Sequence, residues 1–599
     1  MHGTAVTGDH GSDSGRLPEW NLDDLYPGRD SQALKDDLKR AAADAAAFEG
    51  RYKGRLGALA AEEFAAAIRG YETIDERLAR LMSYAQLAFS IDMDDPEVAR
   101  FYQMVQERTT DISTHLLFFV LELNRLDDAA VARLLENAEA RRYAPWVRNV
   151  RQFRAHQLSD EAERLLHEKH ISGRASWIRL FDETLTALRF PLDGRELIET
   201  EILHLLSDKD RETRRKAAHS LGHVLGENIR TFSLITNTLA KDKEIEDRWR
   251  HYESPVSHRN LSNQVENEVV EALVKAVTAA YPGLSHRYYA IKARWLGLER
   301  LEFWDRNAPL PEDEDRVIPW PEAKETVLSA YGAFSGELAE IGGGFFTRPW
   351  IDAGPRAGKA SGAFSHPTVP SVHPYILMNY QGKTRDVMTL AHELGHGVHQ
   401  VLAGPQGHFL SDTPLTLAET ASVFGEMLTF RALLERERAG KRRRVMLATK
   451  VEDMLNTVVR QVAMFEFERR VHAERREGEV TAGRLGEIWL ETQRESLGPA
   501  VNAAGDYRHF WAYIPHFIHS PFYVYAYAFG DCLVNSLYSV YQGAPAGFVE
   551  KYLAMLRAGG TLRHKELLAP FGLDASDPAF WGRGLSVIAG LIDELEGLE

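Results

Sequence analysis

Two histidines four residues apart, His392 and His396, form the part of this 599-residue sequence with the clearest chemistry. On a helix, both imidazoles project from one face about one turn apart and can reach the same metal ion. Glu393 follows the first histidine, so its carboxylate would lie beside the open coordination position, where a bound water needs a base. The H-E-x-x-H spacing therefore predicts a catalytic metal centre, and zinc is the expected metal.

The residues around this motif predict that it is helical. An apolar stripe recurs at spacings of three and four residues: Val387, Leu390, Leu394, Val398 and Val401. His392 and His396 fall on another face of the same helix. Thr384, with Asp386 two residues later, is the expected helix start, because a short oxygen side chain caps free N–H groups and an early carboxylate suits the helix dipole.

Such a centre needs a third ligand, and sequence spacing separates the candidates. A metzincin has glycine three residues and histidine six residues after the second histidine, whereas this chain has His399 and Leu402 there. His399 shares the ligand face but lies roughly 7 Å along the helix axis from the midpoint of the two histidines. We therefore expect His399 to form hydrogen bonds behind the site, or to pack as an ordinary polar group.

A following segment offers two carboxylates. Thr413 and Pro414 are typical of a helix cap and a first helical position. An apolar stripe follows them: Leu417, Ala421, Phe424 and Leu428. Glu419 and Glu426 lie on another face, and one carboxylate with two neutral imidazoles leaves zinc enough positive charge to acidify water. Glu419 is the predicted ligand, and Glu426 is the predicted orienter of a ligating histidine, with a solvated glutamate as its alternative.

Four segments between residues 351 and 426 resemble one known family. They read IDAGPRAGKASGAFS, HPYILMNYQG, DVMTLAHELGHGVHQ and PLTLAETASVFGE. Together they look like the oligoendopeptidase F branch of the thimet oligopeptidase family of zinc peptidases. Residues 20 to 28, WNLDDLYPG, resemble the opening of such enzymes, and PHFIHSPFYVYAYAFG from Pro515 resembles their substrate-binding region. The resemblance thus spans most of the chain.

This resemblance implies roles for individual residues. It implies that zinc is bound by three residues: His392, His396 and Glu419. It also implies that Glu393 is the general base, and that His516 and tyrosines of the 523–527 run contact the substrate or the developing oxyanion. We select Tyr523 and Tyr525, with an aromatic core stripe as the alternative. The chain lacks the glycines that follow this histidine in the thimet branch, so the flexibility of that loop is not carried over.

Composition narrows the partners and the compartment. The chain has 71 basic and 87 acidic residues, a net charge of −16, which argues against nucleic acid or an anionic membrane as a partner. Its apolar runs are too short to span a bilayer. The single cysteine, Cys532, is expected to be a buried structural thiol, and the absence of a disulfide framework or a secretory signal favours the cytoplasm.

The rest of the sequence predicts a mostly α protein. Apolar stripes at helical spacing begin at Leu34 and at Phe64, and similar segments continue to about residue 298. We expect a disordered tail at 1–19, an N-terminal helical lobe at 20–200 and a catalytic domain at 201–599. Short β-type runs at 361–364 and 375–380 predict a small sheet next to the zinc helix, in which 375–380 is an edge strand that could pair with an extended peptide.

The combined reading is a zinc oligoendopeptidase that cleaves internal bonds of short unstructured peptides. The resemblance further implies a site deep in a channel between two helical lobes. One alternative is a helical H-E-x-x-H carboxypeptidase, which needs a cation for the terminal carboxylate of its substrate, with Arg356 and Lys359 as candidates. Another is a non-catalytic peptide-binding protein with a structural metal, which the presence of Glu393 disfavours. The sequence does not specify an oligomeric state.

Overall fold

A computed structural model describes residues 17–310, 317–437, 440–544 and 546–598. Helices make up most of this structure, which confirms the predicted mostly α fold. Of the predicted tail at 1–19, residues 1–16 lie outside the described residues. Pro18 belongs to the folded structure, because its carbonyl accepts the backbone N–H of Ala353 at 2.9 Å.

The N-terminal third is a series of antiparallel helices. They are α1 Gln32–Tyr52, α2 Ala61–Ile91, α3 Pro96–Thr114, α4 Leu117–Arg125, α5 Asp128–Leu134, α6 Ala138–Arg142, α7 Ala144–Arg151, α8 Asp160–Ser172 and α9 Arg174–Ala187. The Ser31 hydroxyl accepts the backbone N–H of Leu34 and caps α1. The stripe predicted from Leu34 forms the buried face of α1, and the stripe predicted from Phe64 lies along the buried face of α2.

The remaining helices surround the H-E-x-x-H segment. Before it come α10 Glu199–Leu205, α11 Arg211–Glu227, α12 Ile229–Trp249, α13 Ser257–Ser262, α14 Asn267–Ala280, α15 Ser285–Trp295, α16 Trp320–Phe334 and α17 Gly336–Thr347. From it onward come α18 Thr384–Ala403, α19 His408–Ser411, α20 Leu415–Ala418, α21 Ser422–Arg436, α22 Lys441–Thr457, α23 Val459–Glu477, α24 Ala482–Leu497, α25 His516–His519, α26 Tyr525–Gly543, α27 Phe548–Arg557, α28 His564–Leu568 and α29 Pro578–Glu596.

Two clusters of buried apolar residues occur in the described part of the chain. The larger runs from Trp20 to Leu595 and contains the buried face of α18. The smaller is built by residues 41–147, in α1 to α7. Phe181 and Leu185 belong to the larger cluster, so the clusters do not divide at residue 200. The division into 20–200 and 201–599 stays a prediction.

A three-stranded sheet precedes α18. Its strands are β4 Ile351–Asp352, β5 Phe364–His366 and β6 Tyr375–Leu377, in the order β4-β6-β5. Two smaller pairs lie elsewhere: β1 Phe190–Leu192 with β2 Arg195–Leu197, and β3 Leu301–Glu302 with β7 Val501–Asn502. The sheet is where the sequence predicted it, but the prediction that 375–380 is an edge strand is wrong. β6 pairs with β4 on one side and with β5 on the other, so β5 is the edge beside α18.

A cavity of about 1600 Å³, here called the large cavity, lies between the helices of the smaller cluster and the C-terminal half of α18. Residues on its two sides include Tyr71, Trp146 and Gln152, and His373, Gln400 and Leu415. His396 and His399 also line it, so this space leads to the H-E-x-x-H motif. Within the described ranges, none of the helices combines the length and the apolar character needed to cross a membrane.

Candidate metal centre and active site

Helix α18 carries the motif as predicted. The rings of His392 and His396 lie on one face with their centroids 4.9 Å apart. The helix begins at Thr384, but Lys383 occupies the cap position that we assigned to Thr384. Asp386 instead closes the helix start, because its carboxylate accepts the backbone N–H groups of Gln381 at 2.8 Å and Lys383 at 3.0 Å.

Glu419 lies at a break between two helices rather than within one. The short helix α20 ends at Ala418, and α21 begins at Ser422. The prediction that one helix carries both Glu419 and Glu426 is therefore wrong. The break aims the Glu419 carboxylate at α18. Its Oε2 lies 3.3 Å from Nε2 of His392 and 3.4 Å from Nε2 of His396.

These three residues fit a metal ion by distance and by chemistry. His392, His396 and Glu419 form the group of possible ligands found among the described residues. A tetrahedral ion with bonds of about 2.0 to 2.1 Å needs donor atoms roughly 3.3 to 3.4 Å apart, which agrees with the two measured separations. Two imidazoles and one carboxylate are the donor set of catalytic zinc sites that keep a fourth position open.

Glycines let the ligand segment approach this closely. A Cβ atom on Gly395, inside the motif, would lie 2.5 Å from the carbonyl oxygen of Ala421 and 2.6 Å from Cα of Ser422. A Cβ atom on Gly530 of α26 would lie 3.0 Å from Cβ of Glu419. The position of Glu419 therefore requires glycine, which has no side chain, at Gly395 of α18 and at Gly530 of α26.

Glu426 lies behind His392, as the sequence predicted. Its Oε2 is 3.2 Å from Nδ1 of His392, and Nζ of Lys450 donates to its Oε1 at 2.6 Å. Burial by itself would raise the pKa of Glu426, but Lys450 and His392 outweigh it and hold the value at about 2. Because an ionised carboxylate only accepts hydrogen bonds, it holds the His392 proton on Nδ1, which leaves the Nε2 lone pair available for a metal ion.

His399 lies outside the ligand group, in agreement with the spacing argument. It is buried, and burial lowers its pKa to about 4, so the ring is neutral. It forms a hydrogen bond with the backbone of Ala418, the residue before Glu419. Its place in the structure is thus beside the ligand segment, where it supports the end of α20.

Glu393 lies next to the ligands and is 7 % exposed. Burial raises the pKa of its carboxyl, while the backbone N–H of Ser365, in β5, hydrogen-bonds to it and acts in the opposite direction. Ser365 also donates its hydroxyl to Oε1 of Gln400 at 3.0 Å. The edge strand β5 therefore contacts α18 at Glu393 and again two turns later.

Of the predicted oxyanion groups, the structure brings together His516 and Tyr523 but not Tyr525. Tyr525 is fully buried, and its hydroxyl accepts a hydrogen bond from Asn263 at 2.9 Å, so it cannot contact a substrate. The sequence analysis missed Tyr527, whose hydroxyl lies 3.3 Å from Nε2 of His516. Burial raises the pKa of Tyr527 to about 12, and the charge of Glu419 adds to this effect. The ring centroids of Tyr523 and Tyr527 lie 5.2 Å apart, although Tyr523 precedes α26, so helical spacing alone does not identify this pair.

Arg356 and Lys359 are tied to the protein itself. Both donate to the buried carboxylate of Asp352, Arg356 at 2.7 Å and Lys359 at 2.6 Å. Lys359 also donates to the carbonyl of Met378 at 2.6 Å. Their structural pairing leaves neither one free to bind the terminal carboxylate of a substrate, which removes this support for the carboxypeptidase alternative.

Hydrolysis of a peptide bond is the chemistry that this donor set and its neighbouring carboxylate serve, so the fold and the site define a helical metallopeptidase. Residues 204–587 match the sequence pattern of Peptidase family M3, and residues 122–190 match that of Oligopeptidase F. The chain therefore belongs to peptidase family M3, in agreement with the resemblance found in the sequence. It is a metalloendopeptidase, a hydrolase that acts on internal peptide bonds.

Relatives and solved structures resemble the chain over most of its length. Oligopeptidase PepF of Bacillus subtilis is 27% identical over 97% of this chain and 87% of its own. Group B oligopeptidase PepB of Streptococcus agalactiae is 27% identical over 88% of each chain. The crystal structure of oligoendopeptidase-F from Enterococcus faecium has a TM-score of 0.71 at 24% identity, covering 94% of this chain and 97% of that one. A structure from Chlamydophila abortus has a TM-score of 0.85 at 22% identity, covering 97% and 98%.

Proposed function

We propose that the protein is a zinc-dependent oligoendopeptidase that cleaves short unstructured peptides. The observation that carries this proposal is the separation of 3.3 and 3.4 Å between Oε2 of Glu419 and Nε2 of His392 and His396. Glu393 adjoins these ligands, and a purely structural metal site would need no such base. The names of relatives in the oligoendopeptidase F group support the same substrate class.

The residues around the ligands have distinct roles in this proposal. When bound, a zinc ion acts as a Lewis acid that acidifies water and polarises a carbonyl. Glu393 takes a proton from the attacking water and delivers it to the nitrogen of the leaving amine. Burial raises the pKa of Glu393, and this helps the carboxyl to hold the proton between the two transfers. Glu426 keeps His392 in the orientation that metal binding requires.

His516, Tyr523 and Tyr527 are the proposed donors to the oxyanion. The ring of His516 lies with its centroid 5.9 Å from Tyr527 and 6.1 Å from Tyr523, so the three form one group. Burial lowers the pKa of His516, which keeps the ring neutral. A fixed donor in a site with little water stabilises a developing negative charge strongly.

The large cavity supports selection of peptides over folded proteins. An extended peptide can enter a cavity of about 1600 Å³ between helices, whereas a folded protein is too wide to bring a carbonyl to the ligands at its end. β5 is the strand beside Glu393, so we place the reacting part of the peptide next to β5 rather than next to residues 375–380. A cytoplasmic location and the absence of a nucleic-acid partner stay predictions.

The test combines metal analysis with cleavage mapping on the purified protein. We expect about one zinc ion per chain and internal cleavage of unstructured peptides up to roughly twenty residues, with little action on folded or long denatured protein. A length series of peptides, each with a free and an amidated C-terminus, would be mapped by mass spectrometry. Stepwise release of single C-terminal residues that amidation abolishes would overturn the endopeptidase assignment, and efficient digestion of a long denatured protein would overturn the enclosed site.

A further inference from the structure

A second cavity of about 1030 Å³ lies at the N-terminal end of α18, away from the large cavity. We call it the basic cavity, because basic side chains outnumber acidic ones in its lining. The basic residues are Lys383, Arg385, Lys441, Arg442, Lys450 and Arg460, and the acidic ones are Glu426, Glu452 and Asp453. Apart from histidines, the charged lining of the large cavity is Asp75, Asp412 and Arg259. The two cavities thus differ in charge, and the basic cavity favours an anionic ligand.

The acidic residues of the basic cavity are engaged with cations other than Arg460. Glu426 accepts the hydrogen bond from Lys450 described above. Glu452 pairs with Lys292, whose side chain is fully buried. Lys450 supplies the largest favourable charge to Asp453. None of these three carboxylates therefore neutralises Arg460.

Arg460 itself has no hydrogen-bond or ion-pair partner among the residues that the structure describes. Its electrostatic neighbours are a second guanidinium, Arg306, and three phenols: Tyr289, Tyr507 and Tyr513. Among the described residues, the side chain of Arg306 donates only to neutral acceptors, Oδ1 of Asn307 at 3.3 Å and the Tyr507 hydroxyl at 3.5 Å. Burial and the charge of Arg306 both act against the charged form of Arg460, whereas Glu452 supplies a favourable charge to Arg306. An anion beside Arg460 would relieve this cost.

The basic cavity adjoins the candidate active site from two directions. Burial is the main cause of the lowered pKa of His516, and the positive charge of Arg460 is the second cause. The guanidinium of Arg460 therefore lies near this proposed donor. On the other side of the cavity, Glu426 bonds to His392. The basic cavity thus lies close to the place where the carbonyl of a bound peptide would meet the metal ligands.

We propose that Arg460, in the lining of the basic cavity, forms a subsite for a carboxylate of the bound peptide. The inference rests on the proposed peptidase function and names the chemistry that fixes the direction of the substrate. A guanidinium binds a carboxylate through two parallel hydrogen bonds, which a lysine cannot match. The carboxylate is supplied by the C-terminus of the peptide or by an acidic side chain near it. The peptide would thus place its C-terminal part in the basic cavity and its N-terminal part in the large cavity.

The first test uses the zinc-loaded full-length protein and one unstructured peptide in three forms. The forms are the free acid, the C-terminal amide, and an amide with glutamate as its last residue. We expect amidation to raise KM about tenfold while kcat stays within about twofold, as is typical for loss of a charge-assisted hydrogen bond. If the glutamate restores the lower KM, the subsite accepts either carboxylate; if it does not, the subsite is specific for the terminus.

The second test uses Arg460→Gln with a matched control from the same cavity. Arg442 also lines the basic cavity but already pairs with Glu437 at 2.9 Å, so Arg442→Gln should leave the preference for the free acid intact. Arg460→Gln should raise the KM of the free acid about tenfold, to the value of the amide, and leave the amide unchanged. Arg460→Lys, which keeps the charge, should retain part of the preference for the acid.

The outcomes separate this inference from the function on which it rests. If the unmodified protein cleaves no peptide, the proposed function fails. If it cleaves acid and amide with equal KM, the function stands and the carboxylate subsite is refuted, without any variant. If Arg460→Gln weakens acid and amide equally, Arg460 has only a structural role. Peptide binding to the Glu393→Gln protein, measured by calorimetry, should show the same preference for the free acid without turnover.

Discussion

The backbone N–H of Phe522 donates to the buried carboxyl of Glu468 at 2.8 Å. Phe522 has a φ of 60°, in the left-handed region that bulky residues rarely adopt. The next residue, Tyr523, belongs to the proposed oxyanion group with His516. Glu468 therefore holds a strained residue directly before a functional one. Burial raises the pKa of Glu468 from 4.5 to about 8, so the folded protein keeps this carboxyl protonated at neutral pH.

This relationship predicts a pH dependence of stability. Because the folded pKa of Glu468 is raised, its contribution favours the folded state below pH 4.5 and is lost as the pH rises through about 8. We expect the unmodified protein to lose on the order of a few kcal/mol of unfolding free energy over this interval, and Glu468→Gln to lack this loss. Denaturant unfolding at about pH 5 and about pH 9 measures it. Glu477→Gln, at an exposed position of the same helix, is the control. Identical pH profiles for the unmodified protein and Glu468→Gln would contradict the assignment.

Replacement of Glu393 by glutamine should separate metal binding from catalysis. The amide keeps the shape of the side chain but cannot accept a proton from water, so we expect bound zinc to be unchanged and kcat to fall by roughly 10² to 10⁴. Metal analysis and a peptide assay on the same preparation provide the two readouts. Glu435→Gln, at an exposed position of α21, should change neither. Near-normal activity of the Glu393 variant would remove this residue from its proposed role.

Glu419 and His399 should differ in their effect on metal affinity. Glu419 lies within 3.4 Å of both histidine Nε2 atoms, whereas His399 bonds to the backbone of Ala418. Glu419→Ala should therefore weaken zinc binding by at least about tenfold more than His399→Ala. Competition with a chelator ranks the two variants. If the His399 variant lost zinc first, the ligand set proposed here would be wrong.

A methyl group on α26 should disturb the metal ligand without touching any polar atom. Gly530→Ala places a Cβ atom 3.0 Å from Cβ of Glu419, closer than side chains normally pack. We expect it to weaken zinc binding about tenfold, because the ligand must shift. Gly543→Ala on the same helix meets open space and is the matched control. Competition with a chelator measures the zinc affinity of both variants. Equal affinities would show that Glu419 tolerates the displacement.

Two tyrosines in the first turn of α26, Tyr525 and Tyr527, should behave differently. Tyr527→Phe removes a hydroxyl 3.3 Å from His516, so kcat should fall by about tenfold to 100-fold while the melting temperature stays the same. Tyr525→Phe removes a buried hydrogen bond to Asn263, so it should lower stability by about 1 kcal/mol and leave kcat unchanged. Kinetics and thermal melting on both variants provide the comparison. The reversed pattern would restore Tyr525 to the active site.

Local sequence patterns predicted the parts of the site that lie on one helix. The apolar stripe from Val387 to Val401 was enough to place both histidines on a common face of α18. The break at Glu419 was not predictable in this way, because contacts with other helices produce it. Tyr552 of α27 donates to the carbonyl of Thr420 at 2.8 Å, and Gly395 and Gly530 leave the space that the break occupies.

Two other differences between the sequence predictions and the structure also depend on features that local sequence patterns do not determine. Whether residues 375–377 form a central or an edge strand depends on β4 and β5, whose partners are set by pairing between segments distant in sequence. Which tyrosine faces the site depends on where α26 begins, and the run of alternating tyrosines has no strong start signal of its own. Periodicity predicts the face of an element once its boundaries are known, but it does not predict the boundaries.

Helix α18 also sets a distance. Its 20 residues span about 30 Å at about 1.5 Å per residue, with Thr384 and Arg385 at the basic cavity and Gln400 and Ala403 at the large cavity. An extended peptide advances by about 3.3 to 3.6 Å per residue, so roughly nine residues are needed to lie along the whole helix and fill both cavities from end to end. The length of α18 therefore sets the length of extended peptide that can fill both cavities. A shorter peptide leaves part of one cavity empty while its carbonyl lies at the ligands, so binding should strengthen with added residues up to this length.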